Sequence, residues 1–120
     1  MPHLHMEYTA NLPELNADVA LMRLNNALVA SGQFEEFDIK TRAVKVETFR
    51  VGTAPGERAF MHVKLSLLSG RSPQIKKQLS DSLLAVVQDV CEWPVGVEVQ
   101  LCVEIIDIDR ESYTKTAIGL

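Results

Sequence analysis

The chain has 120 residues, enough for one domain with one sizeable core, and its 47% hydrophobic and 23% charged residues are ordinary globular composition. A formal net charge of −4 argues against non-specific nucleic-acid binding, which relies on a basic footprint. No basic segment leads into an apolar run, and no apolar run approaches the roughly 20 residues of a membrane span, so a cytoplasmic protein without signal peptide or membrane contact is expected.

The opening stretch MPHLHMEYTANL alternates over residues 2–8. Leu4, Met6 and Tyr8 fall on one face and His3, His5 and Glu7 on the other, the pattern of a half-buried strand. Pro13, behind Asn11 and Leu12, suits the first turn of a helix. Leu15, Val19, Met22 and Val29 recur at helical spacing, with Leu21 and Leu28 widening the stripe. Ser31-Gly32 ends this helix, because Gly tolerates the left-handed position past a helix end.

Residues 38–50 read as a second strand, with Val44, Val46 and Thr48 opposed to Lys45 and Glu47. The turn-rich VGTAPGER connects it to a third strand, where Met61, Val63, Leu65 and Leu67 alternate with His62, Lys64 and Ser66. GRSPQ announces a second helix, with Ser72 as N-cap and Pro73 at the first position. Ile75, Leu79, Leu83, Val86 and Val90 give it an apolar face, and Trp93-Pro94 is expected to end it. In the last strand Val95, Val97, Val99, Leu101, Val103 and Ile105 face one way, and residues 109–120 read as a tail or a short added strand.

The order is βαβ, turn, βαβ, an α+β fold in a single domain over 1–120 with similar halves at about 1–50 and 57–108. Two helices cover one face of a four-stranded mixed sheet. The other face would carry His3, His5, Glu7, Phe60, His62, Lys64, Glu98, Gln100 and Glu104, and is expected to pack against other subunits. Cys91 and Cys102 sit in apolar runs without disulfide spacing and read as buried, reduced thiols.

Pro2 stands directly behind the initiator Met1. It serves either to begin an edge strand or, once Met1 is removed, to offer a free secondary amine. A terminal amine has an unperturbed pKa of about 7.7–8.0, and burial and neighbouring cations both favour its neutral form. Such a group suits a step that accepts and returns a proton near neutral pH. Arg71, just before a helix N-terminus, is the candidate carboxylate clamp, since a guanidinium takes a carboxylate through two parallel hydrogen bonds. The alternative is a surface arginine beside a cap. His3, His5 and His62 offer three imidazoles, but no Cys or spaced carboxylate completes a metal motif, so no metal is expected. Glu7 and Glu104 read as structural rather than an acid–base pair, and no partner base marks Cys91 as a nucleophile.

The periodicity fits two βαβ-βαβ families, the ferredoxin-like binding modules and the tautomerases. MPHLHMEYTANL together with GRSPQIKKQ resembles the 5-carboxymethyl-2-hydroxymuconate Δ-isomerases of the tautomerase superfamily. The resemblance extends over IKTRAVKVETF, AFMHVKLSLLSGRS and VEIIDI. It implies loss of Met1, and catalysis by the Pro2 amine and Arg71 as a cofactor-independent intramolecular oxidoreductase. It further implies a homotrimer with active sites at subunit boundaries. The implied substrate is a dienol with several carboxylates from the bacterial breakdown of homoprotocatechuate, itself derived from 4-hydroxyphenylacetate. The family carries a second basic residue at the start of the second strand, where this chain departs by having Lys40 in place of arginine, with Arg42 two residues on. Lys40 is expected to meet the second carboxylate, with Arg42 in reserve. A tautomerase for another enolisable carboxylate, or a non-catalytic ferredoxin-like module, stands as the alternative.

Overall fold

The computed structural model describes residues 1–119. In chain order it forms β1 (His3–Thr9), α1 (Ala17–Ala30), β2 (Lys40–Val46), β3 (Arg58–Leu68), α2 (Pro73–Gln88) and β4 (Glu98–Ile108). Short 3-10 turns at Glu36–Asp38 and Arg110–Ser112 precede β2 and follow β4.

The four strands make one mixed sheet in the order β2-β1-β3-β4. β1 runs parallel to β2, with His3 opposite Lys40, and β3 parallel to β4, with Arg58 opposite Glu98. The two pairs meet where β1 runs antiparallel to β3. Each βαβ unit therefore returns its second strand directly beside its first. A ferredoxin-like sheet splits these units, so the strand order already separates the two families that periodicity left open.

The core lies between the sheet and the helices. Leu4 and Met6 of β1 and Met61, Val63, Leu65 and Leu67 of β3 are fully buried, as their alternation predicts. Leu79, Leu83 and Val87 of α2 meet them, with Ile75, Val86 and Val90 partly buried alongside. Each fully buried leucine contributes about 1.5–3 kcal/mol through the apolar surface it removes from water. Ser72 caps α2 as expected, its side chain accepting the Ile75 N–H at 3.2 Å.

α1 departs from the sequence reading in start and phase. Its N-cap is Asn16, which accepts the Val19 N–H at 3.2 Å, while Pro13 lies in the preceding turn anchored by buried Leu12. The buried residues are Ala20, Leu24 and Leu28. Val19, Met22 and Val29 are 49%, 61% and 44% exposed. At about 100° per residue these three fall on the side opposite Leu24. The expected stripe is split: Leu28 is buried and Leu15 and Leu21 pack against the core, while Val19, Met22 and Val29 face outward and Ala20 and Leu24 take their place. Ser31 caps the C-terminus and Gly32 follows at φ +73°, as read.

β2 is shorter than 38–50 and its core side is inverted. Leu4 and Met6 lie opposite Thr41 and Ala43, so Ala43 packs on the core while Val44 faces the helix-free side, 50% exposed. Side-chain direction follows ladder register rather than local hydrophobicity. α2 stops at Gln88, before Trp93-Pro94 is reached, and the Trp93 indole turns back to donate to the Gln88 carbonyl at 3.0 Å. Val95 precedes β4 and is fully exposed. Neither thiol is fully buried. Cys91 is half-buried, and Cys102 is exposed because it pairs with His62 on the helix-free face. No helix among the described residues is long and apolar enough to cross a membrane.

Candidate active site

Pro2 sits immediately ahead of β1, its side chain fully buried. Its carbonyl accepts the Lys40 N–H at 3.1 Å, so the first residue of β2 fixes the start of the chain. The Met1 amine donates to the Asp38 carbonyl at 2.8 Å. The Lys40 ammonium donates to that same carbonyl, and the Asp38 carboxylate is paired with Lys115 from the C-terminal segment. Burial, followed by the hydrogen bond and charge of Lys40, lowers the Met1 amine from its ordinary 8.0 to about 5, with Lys115 adding to the shift and Asp38 opposing it. The hydrogen bond from Lys115 holds the Asp38 carboxyl below its usual value.

Arg71 follows a turn at Ser69-Gly70, where Gly70 has φ +121°, a conformation L side chains rarely adopt. It is half-buried, not a free surface arginine. Its Nε donates to Gln33 Oε1 at 3.1 Å, Nη2 to the Gln33 carbonyl at 2.8 Å and Nη1 to the Leu68 carbonyl at 3.4 Å. The guanidinium lies 4.8 Å from the centroid of the Phe34 ring. Gln33 in turn donates its N–H to Ser31 Oγ at 3.2 Å, so the end of α1 presents both Gln33 and Phe34 to Arg71. Three of the five N–H donors are thus held, leaving two for a ligand.

Met1, Gln33, Phe34, Arg71 and Arg110 line a cleft of about 270 Å³, with Glu35 and Asp38 also on its wall. Of the expected site residues Arg71 lines this cleft, while Pro2 is joined to it through Met1 and Lys40 through its contact with the Asp38 carbonyl. Arg42 does not join them. It lies opposite His5 on the helix-free face and donates from Nη2 to His3 Nδ1 at 3.3 Å. Because arginine only donates, His3 Nδ1 is the acceptor, and Nε2–H faces the Tyr113 hydroxyl at 3.0 Å. Burial first, then Lys40 and Arg42, lowers the His3 pKa. His62 is engaged by Glu104 at 2.8 Å. Among the described residues no three His, Cys, Asp or Glu side chains cluster as a metal site.

Gln33, Lys115 and Arg110 were missed by sequence reasoning. Gln33 carried only the weak signal of following a helix-ending Gly. Lys115 and Arg110 lie in the segment 109–120, which reads as a tail or a short added strand.

A four-stranded mixed sheet of two unsplit βαβ units with two helices is the fold of the tautomerase superfamily, and the chain is an isomerase of that class. It belongs to the 5-carboxymethyl-2-hydroxymuconate isomerase family, whose model matches residues 2–119. It is similar to the 5-carboxymethyl-2-hydroxymuconate Δ-isomerase of Escherichia coli, 28% identical over 90 residues, 73% of this chain and 71% of that one. The crystal structure of a 5-carboxymethyl-2-hydroxymuconate isomerase from Deinococcus radiodurans R1 superposes with a TM-score of 0.85 at 31% identity, over 96% of this chain and 88% of that one. A fused 4-OT protein, a wild-type symmetric trimer, gives a TM-score of 0.72 at 19% identity over 98% and 94% of the two chains, a likeness of fold alone. The ferredoxin-like binding module is set aside.

Proposed function

We propose that the chain isomerises 5-carboxymethyl-2-hydroxymuconate to its 2-oxo tautomer, in the breakdown of homoprotocatechuate formed from 4-hydroxyphenylacetate, in the cytoplasm. The Pro2 amine, freed of Met1, is the proton shuttle. The observation that carries the reading is the position of the N-terminus: it opens on the cleft that Arg71 lines, in surroundings that push an amine toward its neutral form. The amine takes the proton of the dienol hydroxyl and gives one to a carbon of the diene. The double bonds shift, a C–H bond forms as the O–H bond is lost, and the net change is an isomerisation. Arg71 holds one carboxylate and stabilises negative charge as it spreads toward the 2-oxo oxygen, and Lys40 holds a second. Lys40 offers a point charge where arginine would offer a fork, and so fixes geometry less tightly.

The experiment is an ultraviolet assay of 5-carboxymethyl-2-hydroxymuconate with Met-free protein. Catalysed conversion to the 2-oxo form is expected. Absence of conversion, with turnover of another enolisable carboxylate such as phenylpyruvate, would reassign the substrate.

A homotrimer belongs to the same reading. The helix-free face carries His5, Glu7, Lys64 and Gln100, with Val44 exposed among them. Packing against a second copy would give these groups partners and cover the apolar ones. The trimeric assembly of the fused 4-OT protein, which shares the fold, supports this count. Light scattering is expected to give three times the chain mass of 13.4 kDa, and a monomer at all concentrations would remove the trimer.

A further inference from the structure

We propose that Arg110 is a specificity-determining residue of the cleft. It takes a third carboxylate, beyond those met by Arg71 and Lys40, and so selects tricarboxylate over dicarboxylate substrates. This rests on the proposed function and adds to it the number of anionic groups the site is built to read.

Arg110 stands two residues past β4, in the 3-10 turn Arg110–Ser112. It is brought to the cleft by the turn that carries Arg71. The Ser69 N–H donates to the Ile108 carbonyl at 2.9 Å, joining that turn to the end of β4. The Ser69 carbonyl accepts from Arg110 Nε at 3.2 Å and Nη2 at 3.0 Å, and Ser69 Oγ accepts the Arg110 N–H at 3.4 Å. The adjacent Leu68 carbonyl accepts from Arg71. Two successive carbonyls of one turn thus orient two guanidiniums toward one cavity. Gly70 lies between them, and a Cβ there would make only an ordinary van der Waals contact with Arg110 Nη2, at 3.7 Å.

Neither guanidinium is paired with a carboxylate among the described residues. The bonds that hold Arg110 use Nε and one N–H of Nη2, leaving three donors, including both on Nη1. Its partner is a neutral carbonyl, so its charge is uncompensated. Of the acids on the cleft wall, Asp38 is engaged by Lys115, and Glu35 is exposed. Like charges converging on one cavity repel each other and concentrate counter-ions there. An anion placed against each guanidinium relieves that repulsion and fills the vacant donors.

The opposing explanation is that Arg110 only staples the C-terminal segment to the Ser69 turn. A staple serves every substrate equally, whereas a specificity residue does not. The test compares Arg110→Gln and Arg110→Lys with the parent chain, all freed of Met1. One readout is the ratio of kcat/KM for 5-carboxymethyl-2-hydroxymuconate to that for 2-hydroxymuconate, which lacks the carboxymethyl arm. The other is the affinity for propane-1,2,3-tricarboxylate against that for glutarate, by calorimetry.

Arg110→Gln is expected to lower both ratios by about tenfold or more, since a charge-assisted pair is lost for only one member of each comparison. Arg110→Lys is expected to recover part of that loss. Equal losses for both members, or no loss, would overturn the proposal. Should the parent chain turn over neither muconate, the proposed substrate fails and the calorimetric ratio alone decides Arg110. A parent chain with no preference for the tricarboxylate probe would overturn the third-carboxylate site.

Discussion

Protein that keeps Met1 is expected to show no isomerisation, whereas the same chain beginning at Pro2 turns over. With Met1 attached the Pro2 nitrogen is an amide, and an amide nitrogen is not basic. Removing Met1 places a secondary amine one residue nearer β1, where the Pro2 carbonyl is already tied to the Lys40 N–H and the Pro2 ring is buried. The surroundings that lower the Met1 amine to about 5 are burial first, then Lys40. The same two influences are expected to act on a Pro2 amine. Both favour its neutral form relative to an unperturbed terminal amine, which with a pKa of about 7.7–8.0 is largely protonated at pH 7. The sign follows: a base must be deprotonated to act, so kcat/KM falls as pH drops through the lowered pKa, and that limb lies below pH 7.7. Lys40→Met removes one of the lowering influences and is expected to move the limb upward. The checks are mass spectrometry of both forms, their rates in one assay, and the pH profile of the processed chain. Equal rates in the two forms would end the proline mechanism.

How much of this was legible in the sequence varied by element. The alternation of β3 and the Ser72-Pro73 start of α2 could be read because the determining residues are adjacent in the chain. The start of α1 could not, because Pro13 is compatible with a turn as well as with a first helical turn, and Asn16 competes as a cap with a hydrogen bond that composition does not reveal. Its phase was legible only in part: Leu28 belongs to the expected stripe and is buried, but Ala20 and Leu24 complete the core face in place of Val19, Met22 and Val29. Lys40 and Arg42 share a strand face, so alternation alone could not separate them. Register against β1 does, placing Lys40 opposite His3, where its ammonium shares the Asp38 carbonyl with the N-terminal amine, and Arg42 opposite His5, where it reaches His3. Arg110 was beyond local reading altogether: its place depends on the end of β4 meeting a turn about forty residues earlier, a contact seen only in the fold. Pro2 and Arg71 are proposed from resemblance and spacing, whereas the hydrogen bonds that hold Arg71 are seen only in the fold.

That holding changes what Arg71→Ala should do. As a surface arginine beside a cap it would cost little stability on removal. In the fold it is half-buried, gives hydrogen bonds to Gln33 and Leu68, and lies over Phe34. Truncation leaves the Gln33 and Leu68 carbonyls without this donor and uncovers the ring, so a loss on the order of 1 kcal/mol in folding stability is expected. The kinetic effect is larger. Losing a charge-assisted clamp on a carboxylate, and on the charge developing beside it, removes at least about 2 kcal/mol of transition-state stabilisation, or thirtyfold in kcat/KM. Arg71→Lys keeps a charge but cannot span Gln33 and a substrate carboxylate together, and is expected to fall between the two. Assays far below the melting temperature keep the two losses apart. A lowered Tm with unchanged kcat/KM would make Arg71 a structural tie between α1 and the Ser69 turn, and would leave the cleft to Lys40 and Arg110. A fall in kcat/KM carried equally by kcat would place the interaction in the transition state, and one carried by KM alone would place it in ground-state binding.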